Sequence, residues 1–146
     1  MRDLLEEGRN IQQLFKNRVL SEAFGEWNAK NFVTNITDIL KKAGYEVEEA
    51  PDQKMDPTVD KMMDTWSSEN GKKLMAAVGI TNWGDGKQQI FVATPSQPLP
   101  SEDVRKAAER IKKLEDELYK IYGKDFKFNA GSQNGGKVNI FSISNK

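Results

Sequence analysis

The spacing of apolar positions along this chain changes from helical in the first part to largely alternating in the second. In residues 1–22, Leu4, Ile11, Leu14 or Phe15 and Val19 recur near helical spacing and predict an amphipathic helical segment. From Glu26 or Asn28 a second helix carries Phe32, Ile36, Leu40 and Ala43, flanked by Val33 and Ile39. Gly44 ends it, with Lys41 and Lys42 in the last turn complementing the helix dipole. Tyr45 and Val47 then alternate with Glu46 and Glu48, the pattern of a short edge strand with charged outer positions. Residues 50–56 are polar and interrupted by Pro51, so they read as a loop. Asp56 as N-cap and Pro57 in the first turn predict a short helix to about Ser68, with Val59, Met62, Met63 and Trp66 inward and Asn70-Gly71 closing it.

Residues 73–143 predict two β-hairpins separated by one charged helix. The first joins 74–82 to 88–94 around Gly84-Asp85-Gly86, which supplies the positive-φ positions of a tight reversal. The second joins 126–130 to 138–143 around 131–136. Between them Ser101 is placed to cap a helix running to Tyr122 and stopping at Gly123. Its sheet-facing side is expected to carry Val104, Ala107, Ala108, Ile111, Leu114, Leu118 and Ile121. Glu102 with Lys106, Glu109 with Lys113 and Asp116 with Lys120 stand at the i, i+4 spacing of helix ion pairs.

Strand 74–80 is apolar on both faces, which predicts a central position with helices on one side and another layer on the other. Alternation puts Ile90 and Val92 opposite Phe91 and Ala93, and places Phe126 with Phe128, Val138 with Ile140, and Phe141 with Ile143. The predicted fold is α+β: N-terminal helices followed by ββαββ, a mainly antiparallel sheet with helices packed on one face. Residues 1–22 stand apart as an amphipathic segment or leader, and 23–146 form a single domain.

Composition then narrows the chemistry. The 22 basic and 22 acidic side chains cancel, so no global field steers the chain toward nucleic acid or an anionic membrane. There is no cysteine, which removes disulfides and thiolate nucleophiles. There is also no histidine, which removes the commonest general base and metal ligand. An enzyme built from this sequence would need carboxylates, Lys or Tyr, with a hard cation as the natural helper. No apolar run approaches the ~20 residues that span a bilayer, and the charged start at Arg2 and Asp3 lacks a secretory signal. The expectation is a soluble, cytoplasmic or particle-borne protein with no cofactor, no metal and no membrane partner.

Four groups of residues merit chemical reading. Gly131 to Lys137 spells G-x-x-x-x-G-K, but Val138 and a strand follow where a P-loop has Ser or Thr and a helix, so a hairpin turn is predicted. Asp56, Asp60 and Asp64 recur every four residues and would align on a helix near Glu46, Glu48, Glu49 and Asp52, either as helix-start acids on a solvated face or as a Mg²⁺ or Ca²⁺ site. Trp83, Phe91, Phe126, Phe128 and Phe141 would make a stacking platform for single-stranded nucleic acid if they share a sheet face. Lys72, Lys73, Lys87, Lys124, Lys127 and Lys137 would then form its rim. Trp83, Asp85 and Lys87 together decorate one hairpin tip, a contact point for a partner or simply what such a turn requires.

Leu20-Ser21-Glu22-Ala23 resembles the Leu/Ile-x-Glu followed by Ala or Gly at which the prohead protease of large myovirus-type phages trims head proteins. The resemblance implies cleavage between Glu22 and Ala23, with residues 1–22 as the leader that directs an internal head protein to the scaffold. It thereby implies a virion-associated protein; with no His, no Cys and no catalytic motif, the leading expectation is a non-enzymatic structural or interaction protein working through residues 1–22 and an exposed sheet face or edge, with a capsid protein or a second copy of itself as partner. The remaining sequence adds single-stranded nucleic-acid binding on the aromatics, or Mg²⁺-dependent catalysis on the acidic cluster, as alternatives.

Overall fold

The structure is a computed structural model and describes residues 26–51 and 53–145. The predicted helix in residues 1–22 and the Glu22-Ala23 processing site lie outside the described residues. Helix α1 (Ala29–Lys42) leads into strand β1 (Glu46–Glu49), helix α2 (Met55–Ser68) and the hairpin β2 (Met75–Gly84) and β3 (Lys87–Pro95). Helix α3 (Val104–Tyr122) and the hairpin β4 (Lys127–Gln133) and β5 (Val138–Ser144) complete the fold. The five strands form one sheet in the order β1-β2-β3-β5-β4, antiparallel except for the β1–β2 pair. A parallel pair needs a crossover, and α2 is that crossover. The fold is therefore α+β, as the sequence predicts, with β1 as its expected short edge strand.

Alternation along the strands sorts the core into two layers. Ala76, Val78, Ile90, Val92, Phe141 and Ile143 face α1 and α3, where Phe32, Ile36, Leu40, Leu114, Leu118 and Tyr122 meet them. Met75, Ala77, Ala93 and Val138 face the other way, onto Met55, Val59, Met62 and Trp66 of α2. Helices α1 and α3 thus share one side of the sheet, and the second layer expected over β2 is helix α2. Its close seat depends on Gly79, where an added Cβ would lie 2.7 Å from Cβ of Ala50 and 3.2 Å from Sδ of Met55.

The chain ends of the helices follow local chemistry. Asn28 Oδ1 accepts from the Asn31 N–H at 3.2 Å and caps α1. Gly44, at φ 95°, lets the Gly44 N–H donate to Lys41 O at 3.0 Å and the Tyr45 N–H to Leu40 O at 2.9 Å, closing the helix. Asn70, at φ 57°, does the same for α2 through Gly71 N–H to Trp66 O at 2.9 Å. Two expected starts are corrected. Helix α2 begins at Met55, so Asp56 lies in its first turn and Lys54 holds the cap position without a side-chain bond. Helix α3 begins at Val104, because Asp103 and not Ser101 accepts from the Lys106 N–H, at 2.8 Å.

Glu102 therefore precedes α3 and is free to pair elsewhere than Lys106. It receives Arg110 Nη2 at 2.9 Å and Nε at 3.0 Å, and the Leu99 N–H at 2.9 Å. The Arg110 hydrogen bonds hold the Glu102 carboxyl below its ordinary range, against the opposing effect of burial. Asp116 pairs with Lys112 at 3.1 Å in place of the expected Lys120. Trp27, just before α1, stacks edge-on against Phe32 and Phe126 at 5.4 Å each and donates Nε1 to Gln88 Oε1 at 2.7 Å, so the chain entering α1 is pinned to β3. Among the described residues, no helix is long and apolar enough to cross a membrane.

Candidate interaction surface

The expected aromatic platform does not assemble. Phe126 and Phe141 are buried beneath α1 and α3, and Phe128 is half-buried with them, 5.8 Å from the Tyr119 ring. Phe91 lies half-buried on the opposite face. Alternation separates them, because Phe91 pairs with Ser142 while Phe141 pairs with Val92. The basic rim is divided too. Lys87 and Lys127 stand at the Gln89–Ser144 end of the ladder, and Lys137 follows the β4–β5 turn at the Pro95–Val138 end.

At the first hairpin tip, Asp85 and Gly86 take φ 52° and 76°, the two left-handed positions of a tight turn, which supports the plain turn reading of this string. Asp85 and Lys87 are exposed there. Trp83 is the extra residue of a β-bulge, since Asn82 pairs with Gln88 and Gly84 with Lys87. The bulge leaves its side chain 63% exposed while Nε1 donates to Gln89 Oε1 at 2.7 Å. Trp83 lines a groove of about 320 Å³ together with Met55, Asp56, Val59, Phe91 and Ile140. Asp56, Asp60 and Asp64 are all exposed on α2, and no group of three or more acidic residues is placed to hold a metal ion among the described residues. The G-x-x-x-x-G-K string is a hairpin: Gly131 and Ser132 belong to β4, and Asn134, Gly135 and Gly136 turn the chain with φ 54°, 66° and 86°.

The two sheet edges differ sharply in their defences. An edge strand exposes unpaired N–H and C=O groups, and proteins ordinarily blunt it with charges, Pro, bulges or shortness. Strand β1 is four residues long and reads Glu-Val-Glu-Glu, so it is short and acidic. Strand β4 is seven residues long, Lys-Phe-Asn-Ala-Gly-Ser-Gln, with a single charge at its first position. It has no Pro, and its register with β5 runs without a bulge from Lys127 to Gln133. All of β4 except Phe128 is exposed.

A flank of α3 continues this edge. The α1-facing side of α3 is marked by Arg110, Lys113, Leu114 and Glu117, which line a cleft with Ile39 and Tyr45. Ala107, Leu114, Leu118 and Tyr122 face the sheet. At 100° per residue, Val104, Ala108, Ile111, Glu115 and Tyr119 fall on the remaining side, away from α1, and the Tyr119–Phe128 contact puts that side over β4. Val104 is 76% and Tyr119 54% exposed, and Ala108 is exposed as well. This corrects the expectation that Val104 and Ala108 pack on the sheet. They sit at the margin of the apolar stripe, on the side of α3 from which Tyr119 reaches Phe128 of β4. Sequence reasoning missed Tyr119 and the stretch 130–132; the signal was the near absence of charge in β4, which a reading focused on aromatics passes over.

No protein-family model and no curated protein matches this chain. Among solved structures, full-length ShkA in complex with AMPPNP is similar at a TM-score of 0.36 and 9% identity, over 96% of this chain and 36% of that one. The chain thus spans about a third of ShkA. The histidine kinase AdeS of Acinetobacter baumannii is similar at a TM-score of 0.30 and 10% identity, over 99% of this chain and 82% of that one. Likenesses this distant carry no argument about function.

Proposed function

We propose that this chain is a non-catalytic protein-interaction protein of a phage head, and that it binds its partner by adding a strand to the β4 edge. The observation that carries the reading is the contrast between the two edges: β1 is short and acidic, whereas β4 is long, straight in register and nearly uncharged. The exposed flank of α3 supports it, because a partner lying along β4 would also cover Tyr119, whose ring packs against Phe128. The head association rests on the resemblance of Leu20-Ser21-Glu22-Ala23 to a prohead-protease site. An intact mass beginning at Ala23 in mature particles supports that placement, and one retaining residues 1–22 contradicts it.

The edge itself is tested by cross-linking. The chain has no cysteine, so a single Ser132→Cys on β4 or Glu49→Cys on β1 carries a thiol-directed photo-cross-linker without background. In the native setting Ser132→Cys is expected to give an adduct of one discrete mass and Glu49→Cys none. Absence of any adduct at Ser132→Cys, or equal adducts at both edges, overturns the reading.

A further inference from the structure

We infer that the strand added to β4 is β4 of a second copy of this chain, antiparallel about a two-fold axis at Ala130, so that two five-stranded sheets become one. The inference rests on the edge reading above and names its partner. Within seven residues, one antiparallel register uses the whole strand: Lys127 opposite the partner's Gln133, Phe128 opposite the partner's Ser132, Asn129 opposite the partner's Gly131, and Ala130 opposite the partner's Ala130.

Every bulky side chain in that register meets a small or flexible one, and the smallest β-carbon meets itself on the axis, where space is tightest. The single charge of the strand, Lys127, never faces its own copy, so no like-charge pair arises in the strand. Gly131 has no atom within 4 Å of where its Cβ would lie, which leaves room for the partner's Asn129.

The helices follow the same axis. Tyr119 lies on Phe128, and α3 runs antiparallel to β4 across the short turn that joins them. At about 1.5 Å per helix residue and about 3.4 Å per strand residue, Ala130 lies below roughly Glu115. The two α3 flanks then meet antiparallel, bringing Ile111 toward the partner's Tyr119 and withdrawing exposed apolar surface from water. Glu115 opposes the partner's Glu115 near the axis, a like-charge cost that the apolar contacts on either side offset.

Sedimentation of the purified full chain tests this directly. Wild type is expected to be a dimer, and Ala130→Lys, which places two ammonium groups on the axis from an exposed position, is expected to be a monomer with an unchanged far-UV spectrum. Glu115→Gln is expected to tighten the dimer several-fold. Under mild oxidation Ala130→Cys should give a disulfide-linked dimer, whereas Lys127→Cys should not, because its sulfur is distant from its own copy. A monomeric wild type, a dimer that survives Ala130→Lys, a looser Glu115→Gln dimer, or cross-linking of Lys127→Cys as readily as Ala130→Cys each overturns the inference. A monomeric wild type combined with a discrete heterologous adduct at Ser132→Cys would discard the second copy while keeping the edge reading.

Discussion

Gly79 and Gly131 show how differently one residue type serves the two halves of the sheet. Gly79 admits the loop and first turn of α2, and an added methyl would meet Ala50 at 2.7 Å. Gly79→Ala is expected to lower stability by about 1–3 kcal/mol, read as a lower denaturation midpoint. Gly131→Ala meets nothing within 4 Å, and in the monomeric Ala130→Lys background it is expected to change stability by less than about 0.5 kcal/mol. Glu102 gives a prediction with a pH signature. Its carboxyl is held below the ordinary value of 4.5, chiefly by Arg110. Its contribution to stability is therefore present above that value and lost as pH falls through the lowered folded value. Glu102→Gln should cost about 1–2 kcal/mol near neutral pH, and the gap from wild type should close on acidification below pH 4.5. A gap that stays constant to pH 2 would show that the charge is not what matters.

Among the elements, hydrophobic period located every described helix and strand, while their ends were legible only where a capping residue had no competitor. Asn28 and Gly44 bound α1 as their chemistry predicts. For α3 the choice between Ser101 and Asp103 could not be made from composition, since both are good N-caps and both precede the apolar stripe. Which one caps is decided by Glu102, whose bond to Arg110 requires it to stay outside the helix. Asp103→Ala should therefore cost about 1 kcal/mol, and Ser101→Ala nearly nothing, when both are compared by thermal unfolding. The aromatics were the hardest to read. Strand alternation correctly separates Phe91 from its neighbours and groups Phe126 with Phe128, but only the tertiary arrangement reveals which of these faces lies under α1 and α3 and which under α2. That arrangement is long-range information, and local pattern does not carry it.

The whole molecule is a sheet with two unequal margins. On one side β1 is shielded by its own glutamates and by α1 and α2, which pack near it; on the other, β4 ends the sheet with seven nearly neutral residues beneath a helix flank that exposes Val104 and Tyr119. The balanced charge and the lack of His and Cys legible in the sequence point away from much common chemistry, but the surface that could act becomes visible only once β4 is known to be last in the sheet. On the proposed reading, this margin is covered when the protein is at work. Amide hydrogen exchange across 128–132, measured in the native assembly and in the isolated Ala130→Lys chain, tests it most directly. These amides are expected to exchange at least ~10-fold more slowly in the native assembly, with those of β1 unchanged; equal exchange of β4 in the two would mean that nothing covers the edge.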